Sequence, residues 1–413
     1  MLKFVIDKMN KYLIIFAVLL SAMICSCKQE NSQWRGEARD GVYHETGLLK
    51  SWPEGGPALL WSFEGLGEGF TSPAIANKRL YITGLQGNEL VLYVFDLNGQ
   101  LLTKKEVGTE EDENYPGPRS TVVVNDGKLY IYNSFGRLLC LDAQSLNQVW
   151  AREIMTDYGG RNIDWNFTES PLIVGDKIFI TPGGERHNIV ALNKNTGEHI
   201  WSSPGMGKVS AYCSPQFIDG YSIPILVTST AEFIVGVNAD TGELLWSHPQ
   251  THEYEIHPNT PLYYNGMVLS TSGYGVGTTM LRLKDGGKAI DLVWHNEDLD
   301  NQMGGAIRIE NHIYSGGHFK RGWACIDWNT GETKYMETNV IGGCNVISAD
   351  GMLYAYSNRG NVYLVKPNPN EAEIVSSFPI TLGTAQHWAH LVIHNGVLYV
   401  RHGDALMAYN IKN

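Results

Sequence analysis

Nine residues spread along a 413-residue chain carry side chains that could act together: Arg119, Glu169, Tyr212, Asn259, Gln302, Asn345, His387, Trp388 and His390. Glu169, His387 and His390 are the acid–base candidates, since a carboxyl and an imidazole can each take and return a proton at a reacting centre. The plainer role for Glu169 is to accept bonds from backbone donors. The run His387-Trp388-Ala389-His390, with His394 and His402 beyond it, invites a metal reading. At strand rise, however, His390 and His394 stand about 13 Å apart, and His387 falls on the opposite side of the strand from His390. No metal site is therefore expected, and the histidines suit a polar recess holding ligand or water. Gly273-Tyr274-Gly275-Val276-Gly277 imitates a dinucleotide loop, but no amphipathic helix follows to meet a phosphate, so it reads as a strand connection. No serine–histidine–aspartate signature is present.

These candidates lie far apart in sequence, so the elements between them must bring them together. The clearest element is Val237-Asn238-Ala239-Asp240-Thr241-Gly242-Glu243-Leu244-Leu245-Trp246, a strand, a tight turn and a second strand ending in tryptophan. The Asp-Thr-Gly centre is turn chemistry, with the Asp side chain bonding backbone two residues on and Gly accepting positive φ. Close copies run over 191–201 and 325–335, and a looser one over 141–150. Ser72-Pro73, Ser170-Pro171, Ser214-Pro215 and Thr260-Pro261 mark strand starts, where proline is tolerated because no ladder donor is needed. Ser120, Gly305, Asn345 and Ala389 hold the equivalent places in the other units.

The slot at the end of each unit holds Trp61, Thr103, Trp150, Trp201, Trp246, Trp294, Tyr335 and Phe378. A period in the forties with four strands per unit means propeller blades, each with two apolar faces that only neighbours can cover. The large aromatics Trp61, Trp150, Trp201, Trp246, Trp294 and Tyr335 are read as structural docking groups between blades. The last unit has only three strands before Asn413, and the strand around Trp61 has no partners before it. The expectation is that Leu59–Phe63 closes the last blade, giving an all-β, eight-bladed propeller over 58–413. Seven blades is the competing count, should Lys288–Val293 or the Thr103 unit be misplaced.

The Asp-x-x-Thr-Gly-x-x-x-Trp pattern, often one residue shorter here, resembles the quinoprotein (PQQ-like) repeat propellers. That family includes quinoprotein alcohol dehydrogenases and the lipoprotein scaffold of the outer-membrane protein assembly machine. The leader Trp34-Arg35-Gly36-x-x-Arg39-Asp40-Gly41, and the terminal Leu398-Tyr399-Val400-Arg401-His402-Gly403-Asp404, are similar to segments of exported members. The resemblance covers about residues 33–411. It implies the fold strongly and an activity weakly, because one fold hosts many functions.

Forty-three per cent hydrophobic residues, 45 glycines and 18% charged residues describe a turn-rich globular chain. A net charge of −12 excludes a nucleic-acid partner, which needs a basic footprint. Residues 1–27 read as a signal segment: Lys3, Lys8 and Lys11, then an apolar run from Leu13 to Ile24, then Ser26-Cys27. This resembles a bacterial lipobox with lipid attachment at Cys27, and so implies a chain anchored to a membrane of the bacterial cell envelope. Residues 28–57 are an extended leader expected to pack through Trp34, Tyr43 and Leu48. Cys140, Cys213, Cys325 and Cys344 fall in different repeats and are expected to be free, mostly buried thiols.

In a ring of blades, first strands line the channel and the long connections gather on one face. Those connections are 106–118, 151–168, 247–258 and 295–303, and binding usually resides in such loops. The nine candidates are placed at the funnel of that face. The run 315–322 reads, like 273–277, as a strand connection, and a reach of His318 and Arg321 to the funnel is the lesser reading of it. The expected function is a monomeric ligand-binding or scaffold module that takes a small polar ligand, a glycan or an envelope protein. One alternative is a PQQ-dependent alcohol or sugar dehydrogenase, with Trp388 or Trp165 stacking on PQQ, Arg119 pairing its carboxylate and Glu169 with Asn259 or Asn345 holding Ca²⁺. Against it, the adjacent cysteines on which the family's enzymes often stack the cofactor are missing. A further alternative is a polysaccharide lyase or hydrolase using Glu169, His387 and His390.

Overall fold

A computed structural model of the chain describes residues 32–161, 164–338 and 340–413. The expected signal segment, with Cys27, lies outside the described residues. Eight antiparallel sheets follow one another along the chain. Blade 1 runs outward from Ala74–Ala76 through Arg79–Gln86 and Glu89–Asp96 to Leu101–Thr109. The inner strands of blades 2 to 8 are Val123–Asn125, Leu172–Val174, Gln216–Ile218, Leu262–Tyr264, Ile307–Ile309, Cys344–Ala349 and Val392–His394. Ala58–Glu64 pairs antiparallel with Ala405–Asn410 and so supplies the outer strand of blade 8. The first strand of the ring thus completes the last blade. Ala289–Asn296 and Leu101–Thr109 are outer strands of blades 5 and 1, which fixes the count at eight. Among the described residues the one α-helix is the five-residue Ile154–Tyr158.

The repeated turn works through two contacts. Its Asx side chain holds the turn: Asp327 Oδ1 accepts the amides of Asn329 and Thr330 at 2.9 and 2.8 Å. In the archetype the holder is Asn238, which accepts the amide of Asp240, while Asp240 itself pairs with Lys177 at 2.9 Å. The expectation for Asp240 is corrected here: the side chain that bends the turn must precede it by two residues. The turn glycine lies against the indole of the preceding blade. A Cβ on Gly242, where φ is +77°, would come 2.5 Å from Trp201, and one on Gly331 would come 2.5 Å from Trp294. Each indole donates to a carbonyl in the next blade: Trp61 to Leu97, Trp150 to Lys194, Trp201 to Ala239, Trp246 to Gly287 and Trp294 to Trp328. A register shift in every outer strand accompanies the slot. Such bulges re-aim one side chain, here the one that docks. The four cysteines are free and buried.

The leader enters the ring. Val42–Tyr43 pairs parallel with Cys344–Ala349, adding a fifth strand inside blade 7. Tyr43 and Leu48 are buried, and Trp52 packs edge-on against Phe378 with centroids 5.0 Å apart. Residues 32–39 bond to one inner wall after another. The Ser32 carbonyl accepts from Val124 of blade 2, Arg39 donates to Ser170, Pro171 and Pro215 of blades 3 and 4, and Trp34 donates to Thr260 of blade 5. Arg35 donates to Gly304 and Ala306 of blade 6, Val346 of blade 7 and His390 of blade 8. Both guanidiniums are almost fully buried, at 3% and 1% exposure. Burial lowers Arg35 to about 10 and Arg39 to about 9, which still leaves both charged at neutral pH.

Candidate functional site

The side chains above this plug belong to connections that reach one face. Loops between blades supply Tyr115, Trp165, Tyr212, Gln302 and Trp388, while Tyr274 comes from the hairpin between the second and third strands of blade 5. Together with Trp34 they surround a cavity of about 250 Å³. Phe70 and Tyr115 flank Trp388, each with centroids 5.1 Å from it. Tyr274 stacks on His252 at 4.6 Å and receives a 2.7 Å bond from Gln302. Tyr115, Tyr212 and Tyr274 have φ of 52°, 69° and 58°. Bulky residues rarely adopt that conformation, and such outliers gather at functional sites.

Five of the nine candidates line this funnel: Arg119, Tyr212, Gln302, Trp388 and His390. Arg119 is engaged with its own loop, donating to the carbonyls of Asn114 and Tyr115 at 2.7 and 2.8 Å. It thereby sets the Tyr115 loop. Glu110 and Glu111 lie close enough to Arg119 to oppose the lowering that burial imposes on it. His390 forms wall but offers no free nitrogen: Nδ1 accepts from Arg35 at 3.3 Å and Nε2 donates to the Met303 carbonyl at 2.9 Å. Burial first, and then the Arg35 charge, lower its pKa to about 3, so the ring stays neutral.

Glu169 and Asn259 lie beneath the funnel rather than in its wall. Glu169 is fully buried and accepts the Thr181 amide at 2.9 Å, and burial pushes its pKa up to about 8. Asn259 ties blades together, with Oδ1 accepting from Gly305 and Nδ2 donating to Thr271 and Asn301. Asn345 and His387 stand at a second recess, beside the funnel, of about 520 Å³. Asn345 Nδ2 donates to the Trp388 carbonyl. His387 sits 2.6 Å from the Tyr356 hydroxyl and stacks on His402 with centroids 3.7 Å apart. Burial and then His402 lower it to about 4. Gln302 and Trp388 border both recesses.

Two contributions escaped sequence reasoning. The plug was visible as Trp34-Arg35-Gly36 and Arg39-Asp40-Gly41, but the blade carbonyls that receive the arginines come from four separate segments. The second–third strand hairpins reach the same face as the long loops, and a glycine-flanked tyrosine at 274 was the signal for one.

The fold and this face define an eight-bladed repeat propeller with an aromatic funnel. The family described as outer membrane protein assembly factor BamB matches over residues 58–181 and 161–371. The chain belongs to that family of PQQ-like repeat propellers. Quinoprotein ethanol dehydrogenases of Pseudomonas aeruginosa and Pseudomonas putida are 34% and 31% identical over 90 and 91 residues. Those matches span 22% of this chain and 14% of either enzyme. The crystal structure of BamB from Moraxella catarrhalis superposes with a TM-score of 0.62 at 14% identity, covering 86% of this chain and 99% of that one. The quinohemoprotein alcohol dehydrogenase ADHIIG of Pseudomonas putida HK5 gives 0.63 at 13% identity, over 93% and 81%. At such identities the likeness is one of fold.

The residues do not fit PQQ with a cation. A hard cation needs several oxygens converging from the wall. Of the oxygens expected to supply them, Glu169 accepts from Thr181 below the floor and Asn259 accepts from Gly305, which leaves the buried, unbonded Asn345 Oδ1 as a single ligand, too few for a hard cation.

Proposed function

We propose that this chain is a non-catalytic binding module whose funnel stacks the rings of a saccharide. The supporting observation is the wall itself. Trp34, Tyr115, Trp165, Tyr274 and Trp388 face one small recess, and Tyr115 remains 44% exposed. Aromatic side chains pair an apolar face with a polar tip. That combination suits sugar rings, which carry apolar C–H faces and a polar edge. A few fixed polar groups among apolar walls are the usual pattern of a ligand site, and the Tyr212 and Gln302 side chains supply them here. His390 and Glu169 have their polar atoms bonded within the protein, which favours binding over acid–base chemistry.

Calorimetric titration of a panel of oligosaccharides tests this. Saturable binding by at least one member, lost in Trp388→Ala and weakened in Tyr115→Ala, is the expected result. No binding across the panel would overturn it. Titration with PQQ and Ca²⁺ tests the dehydrogenase alternative. Saturable binding abolished by Glu169→Ala or Trp388→Ala would replace this proposal with that one; no heat is expected.

The apolar run and Ser26-Cys27 support export and lipid attachment at Cys27, placing the module on a membrane of the bacterial envelope. Cys27→Ala is expected to move the protein from the membrane to the soluble fraction. Retention of the variant on membranes washed with high salt would contradict the anchor.

A further inference from the structure

The recess beside the funnel differs from it in chemistry. Its wall comes from blades 6 and 7: the hairpin with His318, Phe319 and Arg321, the hairpin with Asn358 and Arg359, and the connection through Gly342 and Gly343. No aspartate or glutamate lines it. The nearest acid on the wall's own scaffold, Asp300, is fully buried and turned to backbone, accepting the amides of His318 and Phe319 at 2.8 and 2.7 Å. Among the described residues, no carboxylate lies within ion-pair distance of Arg321 or Arg359. Two unpaired guanidiniums sharing one recess are unexpected on a chain of net charge −12. Both are exposed on their hairpins, unlike Arg35 and Arg39, which are buried and engaged with backbone carbonyls.

The shape supports a ligand rather than a loose surface patch. The recess measures about 520 Å³, within the range of roughly 300–1,000 Å³ typical of small-ligand pockets. Glycines let the walls approach: a Cβ on Gly316 would come 2.3 Å from the Gly342 carbonyl oxygen, and one on Gly343 would come 3.1 Å from Asn358 Nδ2. Gly342 itself has φ +78° and open space where a side chain would stand. Guanidinium forks match carboxylates in a planar, two-bond geometry. Asn358 adds an amide on the same wall, and Gln302, Met303 and Trp388 border both the recess and the funnel, so the two adjoin.

We infer that the saccharide is acidic, and that this recess takes the carboxylates of uronic-acid units adjoining those stacked in the funnel. The inference rests on the funnel reading above. Arg321 and Arg359 bind the charge, and the aromatic funnel binds ring faces without regard to charge. Each arginine is exposed on its hairpin, so either can be replaced without opening the core.

The experiment titrates the full chain with a panel of uronate oligosaccharides, each beside its own methyl ester. The ester keeps the rings and removes the charge. The free acid is expected to bind about tenfold tighter than its ester or better, and the preference should shrink as salt is raised. Arg321→Gln and Arg359→Gln should each reduce the preference and together abolish it, while leaving ester affinity and thermal midpoint unchanged. Arg359→Lys should restore part of it. Trp388→Ala should abolish binding of acid and ester alike. Equal binding of acid and ester would overturn the acidic assignment and leave the funnel reading standing. Failure of both would overturn both. Inorganic sulfate competing as well as the uronates at matched ionic strength would mark a site for small free anions and overturn the saccharide part.

Discussion

At the rim of the ring five indoles make one and the same bond, each to a carbonyl of the following blade. At the centre two arginines make bonds that no other residue repeats, Arg35 to blades 6, 7 and 8 and Arg39 to blades 3 and 4. The rim is a nearest-neighbour device: each contact serves two blades, and stability is close to a sum of such terms. The centre ties distant blades through one short segment, and that segment is also the floor on which the funnel stands, since Trp34 packs on His390 with centroids 4.3 Å apart. Repetition builds the ring, and singular residues build the site inside it.

Breaking the centre should cost most. Arg39→Ala removes a buried charge and leaves the carbonyls of Ser170, Pro171 and Pro215 without their donor. A loss of about 3–5 kcal/mol is expected in urea unfolding, together with weakened ligand binding. Trp201→Ala at the rim should lose about 3–4 kcal/mol and leave binding untouched in the folded fraction. If Trp201→Ala damaged binding as much as Arg39→Ala, the division between rim and centre would fail. Gly242→Ala should cost less, about 1–3 kcal/mol, from its positive φ and its contact with Trp201. Because the strain falls on that same indole, the cost should not add fully to that of Trp201→Ala.

The pH profile gives the smallest effect and separates two buried groups. Glu169, raised to about 8, keeps its proton in the folded protein where the unfolded chain has lost it. Its contribution is therefore present below the ordinary carboxylate value and is lost as pH rises towards 8. His390, lowered to about 3, acts in the opposite sense. The unfolded chain takes up a proton below pH about 6.5 that the folded ring refuses, so stability rises with pH up to that value. Below pH about 4.5 only the histidine acts, from 4.5 to 6.5 the two slopes oppose each other, and above 6.5 only the glutamate acts, so stability should be highest across pH 4.5–6.5. Glu169→Gln should flatten the decline between pH 6.5 and 8 and leave the acid side steep. Thermal midpoints across pH check this, and an unchanged alkaline decline in the variant would contradict it.

The rim was legible in the sequence because its information is local and repeated. Asn238 through Trp246 holds the turn, the glycine and the docking indole within nine residues, and the unpaired strand at Trp61 pointed to closure by the N-terminal segment. The centre was not legible in the same way. Arg35 and Arg39 could be seen as a motif, but their partners are backbone carbonyls, which carry no residue identity. Glu169 and Asn259 were placed at the funnel from their position before an inner strand. The structure puts them one layer deeper, because the short inner strands begin with residues that bond across to neighbouring blades. Arg359 is a lone exposed arginine on a hairpin, which carries no signal in the sequence; only the fold sets it in the same recess as Arg321.

The most direct test of the funnel as the binding site is tryptophan fluorescence of the purified protein during titration with the oligosaccharide panel, run in parallel on Trp388→Ala and Trp61→Ala. The account predicts a saturable change with at least one saccharide that disappears in Trp388→Ala and persists in Trp61→Ala. A saturable change that survives in Trp388→Ala, or no saturable change with any member of the panel, would contradict it.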